Sequence, residues 1–225
     1  TNVMVAWLLK DIPLALEPLP DRQREGLWEQ LQISQAELAH WDEISRKLKV
    51  PFHGDGIISQ FEGYEELEEF DWLDYEERYA NIERLDRILE AEGDSVNNYK
   101  ASKQADVLML FYLLSFEELV ETFGRLGITF DEEMLARNIE YYLERTSHGS
   151  TLSRVVHSWV LARSDRPRSI ELFKQALASD VSDIQGGTTQ EGIHLGAMAG
   201  TVDLLQRGYS GMEATADGVL RFKPN

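Results

Sequence analysis

The chain has 225 residues, 43% of them hydrophobic, enough for one or two domains with a real core. Its formal net charge of −18 argues against nucleic acid or an anionic membrane as a partner, since both attract basic patches. Cysteine is absent, which excludes disulfides and thiolate metal sites and fits a cytoplasmic location, and the longest dense apolar run, Val107 to Leu114, falls far short of the roughly 18 residues of a membrane span.

The chain opens at Thr1-Asn2-Val3-Met4-Val5-Ala6-Trp7, already inside an apolar helical pattern, which reads as a cut edge. The first helix is predicted from Thr1 to about Leu16, bent at Pro13 and ended by Pro18 and Pro20. Ser34 and Glu37 have capping-box spacing and open a helix to about Leu48. From Pro51 to Trp72 the periodicity breaks, and interleaved aromatic and acidic residues favour an ordered loop with a solvated face. Tyr75, Tyr79, Ile82, Leu85 and Leu89 then predict one amphipathic helix. Lys103-Gln104-Ala105-Asp106 leads into Val107 to Leu114, a helix without a solvent face, and Ser115 with Glu118 starts the next. A further amphipathic helix spans Asp131 to Glu144, with Leu135, Ile139 and Leu143 at helical spacing. Leu152 to Leu161 is apolar in nearly every direction and predicts a buried helix, whereas Pro167 opens an outer helix to about Leu177. The stretch Gly186 to His194 introduces a helix from Ile193 to Leu204 built on Gly196, Ala197, Ala199 and Gly200, whose small side chains let backbones come close. The tail, Gly218 to Phe222, alternates like a strand.

The chemistry is expected at Arg145-Thr146-Ser147-His148-Gly149-Ser150-Thr151-Leu152-Ser153, a polar turn at the start of the buried helix. Helix starts expose unpaired N–H groups and the positive end of the dipole, so Gly149, Ser150 and Thr151 can hold an anion; plain capping by Ser147 or Ser150 is the competing reading. Three polar starts, near Lys103, Ser150 and Thr189, recur about every 40 to 47 residues, one helical hairpin apart. With the inner helices parallel, one end of the structure carries Lys103, Gln104, His148, Ser150, Thr151, Thr189, Glu191 and His194 together. That describes an all-α barrel of alternating inner and outer helices, whereas an open solenoid has no fully apolar inner ring.

Five motifs in the same order carry a family resemblance: Thr1-Asn2; Ile58-Ser59-Gln60-Phe61-Glu62-Gly63-Tyr64; Lys103-Gln104-Ala105-Asp106-Val107; Ser147-His148-Gly149-Ser150-Thr151-Leu152-Ser153; and Gly187-Thr188-Thr189-Gln190-Glu191-Gly192-Ile193-His194-Leu195-Gly196-Ala197-Met198-Ala199-Gly200. With them the chain resembles glycoside hydrolase family 65, the family of maltose, trehalose and kojibiose phosphorylases. The resemblance implies a partial (α/α)6 barrel over residues 1–208. It also implies the start of a C-terminal β-domain over 209–225, where Tyr209-Ser210-Gly211-Met212-Glu213 and Asp217 to Phe222 look like the family's exit from the barrel. It further implies inverting phosphorolysis of an α-glucosidic disaccharide to β-glucose 1-phosphate, with inorganic phosphate as co-substrate and no cofactor. Lys103 and Gln104 then bind the sugar, and His148, Gly149, Ser150, Thr151, Thr188, Thr189, Glu191 and His194 face the phosphate. The family's general acid, a glutamate in an Asp-Glu-Tyr stretch, is expected upstream of Thr1, so no catalytic residue is assigned within this chain. Without the remaining barrel helices, apolar faces around Val3, Val5 and Trp7 are expected to be exposed, and the intact enzyme is expected to be a homo-oligomer.

Each site residue has a plainer reading. Glu191 stands three residues after Thr188 and fits a capping box, His194 fits a core histidine bonded to a carbonyl, and His157 fits packing or a local hydrogen bond. Lys103 is harder to set aside, because lysine at the start of a buried helix needs a partner. No metal site is expected, since His148 and His157 lack ligand spacing. Two other functions compete: a hydrolase resembling acid trehalase, and a non-enzymatic helical-repeat scaffold, which predicts recurring apolar positions and no clustered donors.

Overall fold

The structure is a computed structural model that describes residues 1–214 and 219–223. Asp217 and Gly218 of the exit motif and the terminal Asn225 lie outside the described residues. The chain is an all-α, partial (α/α)6 barrel with, among the described residues, two small antiparallel strand pairs.

The first three helices are α1 (Asn2–Leu16), α2 (Asp21–Leu31) and α3 (Gln35–Ser45), the last capped by Ser34, whose hydroxyl accepts from the Glu37 amide at 3.2 Å. Helix α1 packs on α3 and reaches the helix that follows Ser115. Val3 is therefore buried and Met4 and Trp7 pack against the core, contrary to the expected exposed face; the large exposed apolar side chains include Val181, Ile193 and Leu195 instead. Strands β1 (Phe52–His53) and β2 (Ile57–Ile58) form a hairpin inside the segment without periodicity, and Tyr64 behind it is 1% exposed.

The single helix expected over Tyr75 to Leu89 is two, α4 (Trp72–Arg78) and α5 (Leu85–Glu92). Asn81 breaks it: its Oδ1 accepts from the Glu83 amide at 2.9 Å while its Nδ2 donates to the Ile184 carbonyl at 2.8 Å, an Asx-type turn incompatible with a continuous helix. Next come α6 (Leu108–Leu113), α7 (Phe116–Arg125) and α8 (Glu132–Leu143). Ser115 and Glu118 cap α7 reciprocally and Asp131 caps α8, each as a local side chain can. Helix α6 is shorter than expected and not fully enclosed, since Leu113 is exposed.

Helix α9 (Thr151–Leu161) is the centre of the fold, with the unbroken run Ser153 to Ser158 buried. It packs against α6 and α11 (Leu195–Asp203) on the inner layer and against α10 (Arg166–Ala178) outside, while α8 covers α6. Pro167 lies in the first turn of α10, where its missing N–H costs nothing, and Asp165 caps that helix by accepting from the Arg168 amide. After a π-helical turn, Leu204–Tyr209, strand β3 (Met212–Ala214) pairs with β4 (Leu220–Phe222).

The α9–α11 approach rests on Gly200: a Cβ there stands 2.8 Å from Val155 Cγ1, closer than packed carbons tolerate. Gly200→Val is expected to lower the urea unfolding free energy by about 1–3 kcal/mol, and adding Val155→Ala should recover part of the loss non-additively. Simple additivity of the two changes rules out this contact as the cause.

Candidate functional site

The turn before α9 is tied to residue 102. Ser102 N–H donates to the Arg145 carbonyl at 2.7 Å and Ser147 N–H to the Ser102 carbonyl at 2.8 Å, a parallel bridge, with Gln60 Nε2 hydrogen-bonded to the Ser102 hydroxyl. Gly149 then passes so close to Glu83 that a Cβ falls 2.4 Å from the Glu83 carbonyl oxygen and 3.0 Å from Lys103 Cγ. Backbone cannot retreat as a flexible side chain can, so glycine is required there.

Neither serine caps α9. Ser150 occupies the N-cap position without a side-chain cap bond, and the Ser147 hydroxyl donates to the Glu83 and Ser102 carbonyls at 3.3 and 3.4 Å. The capping alternative is therefore not realised, and the helix begins with a Ser150 hydroxyl that has no partner among the described residues, beside the buried Thr151. His148 precedes it in the left-handed region, φ 59°, which turns its ring back over the helix. His148 Nδ1 lies 2.9 Å from Ser153 Oγ, and the ring meets His157 edge-on at 4.6 Å. Desolvation, with lesser contributions from His157, Arg154 and Arg168, holds the His148 pKa well below its ordinary value. His157 Nδ1–H donates to the Ser153 carbonyl at 2.8 Å, and burial lowers its pKa to about 4.

Arg154, one turn into α9 and 4% exposed, pairs with Glu83 and donates from Nε to Gln175 Oε1 at 2.9 Å. Burial raises the Glu83 pKa against the opposing pull of Arg154. Lys103 is half exposed, with Nζ 3.0 Å from Asp86 Oδ2, so its partner is a carboxylate at the rim. Gln104 Nε2 donates to Asp106 Oδ1 at 3.1 Å on the exposed surface.

The 180–194 segment carries its own anions. Asp183 Oδ1 accepts from the amides of Gly187, Thr188 and Thr189 at 2.8, 2.9 and 3.1 Å, so the donors of this glycine-rich turn are engaged from within the chain. The Thr189, Gly187 and Thr188 amides hold the Asp183 carboxyl below its usual range. The Thr188 hydroxyl donates to Gln185 Oε1 at 3.1 Å, whereas Thr189 Oγ1 is buried without a partner among the described residues. Glu191 makes no capping box with Thr188; its Oε2 lies 3.5 Å from His194 Nε2. His194 is bonded to a carboxylate and not to a carbonyl, with Nδ1 2.7 Å from Asp180 Oδ1, and this hydrogen bond raises its pKa.

Lys103 and Gly149 thus meet directly, and both touch the segment 81–87 through Asp86 and Glu83. That segment also reaches the third cluster, through Asn81 and Ile184 and through Arg87 Nη1, 3.9 Å from a Cβ position at Gly187. No hydrogen bond or ion pair joins His148–Thr151 to Thr188–His194 among the described residues. The residues that the sequence reading passed over are Glu83, Asp86, Arg154, Asp180 and Asp183. Arg154 alone had a visible signal, a lone cation inside an otherwise apolar helix.

Comparison with known proteins agrees with this architecture. The glycosyl hydrolase family 65 central catalytic domain matches residues 1–203. An uncharacterized glycosyl hydrolase of Mycobacterium tuberculosis is 59% identical over 96% of this chain and 16% of its own length. The trehalose 6-phosphate phosphorylase of Lactococcus lactis is 37% identical over 94% of this chain and 26% of its own, and the maltose phosphorylase of Bacillus subtilis 31% over 100% and 27%. The chain therefore spans about a quarter or less of the length of these relatives. A putative kojibiose phosphorylase from the human microbiome shares the fold, with a TM-score of 0.68 and 22% identity over 99% of this chain and 30% of that one.

The histidine pair makes acid stability testable. Unfolded, His157 takes up a proton near pH 6.5; folded, only near about 4, so between these values the unfolded state binds more protons and stability rises with pH. From pH 7 to 4 the wild type should lose roughly 2–3 kcal/mol more unfolding free energy than His157→Gln. Parallel pH profiles for the two proteins rule out a neutral buried His157.

Proposed function

The chain belongs to glycosyl hydrolase family 65, and we propose that it supplies the later part of a catalytic barrel performing inverting phosphorolysis of an α-glucosidic disaccharide. In this reading residues 1–208 are barrel and 209–225 begin a C-terminal β-domain. A phosphate oxygen attacks the anomeric carbon from the face opposite the leaving sugar, the glycosidic C–O bond breaks, and a glutamic acid upstream of this chain protonates the departing oxygen. The products are β-glucose 1-phosphate and the free second sugar.

The observation that supports this most is the start of α9, where Ser150 leaves its hydroxyl and the Thr151 and Leu152 amides uncapped beside a histidine kept neutral by desolvation. A phosphate oxygen accepts hydrogen bonds, so His148 serves it with Nε2–H, and the Ser153 hydroxyl then donates to Nδ1. Gly149 seats the turn against the Glu83 backbone next to this start, and Thr151 adds a donor. Thr188, Thr189, Glu191 and His194 flank the phosphate through side chains, because Asp183 already takes their turn's amides. Lys103 and Gln104 bind the sugar being cleaved from the rim.

In the full-length protein, Ser150→Ala should raise KM for inorganic phosphate about ten- to hundredfold and KM for the disaccharide far less, as expected for a lost hydrogen bond to a charged oxygen. His148→Asn, chosen because asparagine tolerates a positive φ, should act in the same direction. Weakened sugar binding with unchanged phosphate dependence in both variants would sink the assignment.

A further inference from the structure

The turn before α11 holds His194 between two carboxylates, and one of them, Asp180, has no part in the phosphate assignment. Asp180 stands two residues past the end of α10 and directs both oxygens at one residue: Oδ2 accepts from the His194 amide at 2.9 Å, and Oδ1 lies 2.7 Å from Nδ1. Gly192, at φ 96° and ψ −163°, a conformation essentially confined to glycine, turns the chain between Glu191 and His194. Glu191 Oε2 thereby comes to 3.5 Å from the opposite ring nitrogen, Nε2. These two acids are the charged groups that face the ring, Asp180 from the end of α10 and Glu191 from the turn itself.

A carboxylate just beyond a helix C-terminus meets the negative end of the dipole, where a cation is the favoured neighbour, and the last turn of α10 has no basic residue to offset it. Asp180 nonetheless has a side chain only 6% exposed, with both oxygens engaged by His194. The His194 ring is 30% exposed between the exposed Ile193 and Leu195, so a ligand can reach it. A carboxylate only accepts, so Nδ1 carries the proton that meets Asp180. Nε2 then carries a proton only when the ring is an imidazolium, the form that both acids favour, and the hydrogen bond to Asp180 raises the His194 pKa.

We propose that Asp180 is a positioning residue for phosphate binding: it holds His194 by backbone and ring, so that Nδ1–H is committed inward and Nε2–H is presented to the anion. The inference rests on the phosphorylase reading and adds to it a residue that does not itself touch substrate. A phosphate oxygen takes over Nε2–H from Glu191, because a loose, exposed pair yields to a charge-assisted hydrogen bond. The two histidines assigned to phosphate then work in opposite states. His148 donates as a neutral ring whose tautomer Ser153 sets, and His194 donates as a cation. Phosphate affinity therefore falls as pH rises through the His194 pKa, where this donor is lost.

The test compares the full-length wild type with Asp180→Asn and Asp180→Ala. Asparagine keeps both contacts, its amide oxygen accepting from the His194 N–H and its amide nitrogen donating to Nδ1, and so removes the charge alone. Two quantities are followed against pH: the His194 pKa, from hydrogen exchange at its Cε1 read by mass spectrometry, and the calorimetric Kd for inorganic phosphate, with glucose as the control ligand. Phosphate's own titration is common to all three proteins and cancels in the comparison. Asp180→Asn should lower the His194 pKa and weaken phosphate binding about tenfold between the two pKa values, with the difference shrinking below and above that window and glucose binding unchanged. Asp180→Ala, which also loses the clamp, should weaken phosphate at least as much. An unchanged His194 pKa, a phosphate loss independent of pH, or an equal loss for glucose overturns the proposal. A wild type that cleaves maltose, trehalose or kojibiose without phosphate, yet binds phosphate through Asp180 and His194 in this way, refutes the phosphorylase reading and supports the Asp180 assignment.

Discussion

The site hangs on the contact between Glu83 and the first turn of α9. Arg154 leaves the apolar interior to pair with the Glu83 carboxylate, the Glu83 carbonyl receives the Ser147 hydroxyl, and the absence of a side chain at Gly149 lets the two backbones touch. Desolvating both charges is expensive, so such a pair adds little net stability, yet removing one partner strands a buried charge at a cost of about 3–5 kcal/mol. The pair therefore acts as a latch between two segments 71 residues apart. Everything else in the site follows from where it places residues 81–87: Asp86 under Lys103, Arg84 and Arg87 beside the 185–187 turn, and Asn81 on Ile184.

Much of the fold is legible because its signals are local. The caps at Ser34, Ser115, Asp131 and Asp165 each act within three residues, and the apolar spacing of α8, α9 and α10 identifies their buried faces. The split between α4 and α5 is not legible, because the partner that holds Asn81 in its turn lies 103 residues away. The same limit applies to α1, whose apolar face looked unpartnered but is covered by α3 and α7. At the start of α9 the local reading fails in the opposite direction: a serine cap is the ordinary outcome, but distant carbonyls of Glu83 and Ser102 draw the Ser147 hydroxyl away.

Of the candidate site, the donors could be found from sequence and their acceptors could not. Ser147 to Ser153 and Gly187 to His194 stand out as polar motifs before small or buried helices. The carboxylates that organise them, Glu83, Asp86, Asp180 and Asp183, have no contrast in a chain with 40 acidic residues, and only the fold selects them.

That selection changes the electrostatic problem that the composition poses. A net charge of −18 suggests an interior hostile to phosphate. Around the proposed site, however, the acidic groups are individually engaged: Asp183 by three amides, Asp180 and Glu191 by His194, Asp86 by Lys103 and Glu83 by Arg154. Fields of such paired groups fall off faster than those of isolated charges, and the remaining exposed carboxylates are screened over about 8–10 Å by physiological salt. In the proposed reading an approaching anion meets at short range the Ser150 hydroxyl and the Thr151 and Leu152 amides at the start of α9, so local pairing and not net charge decides where a phosphate binds.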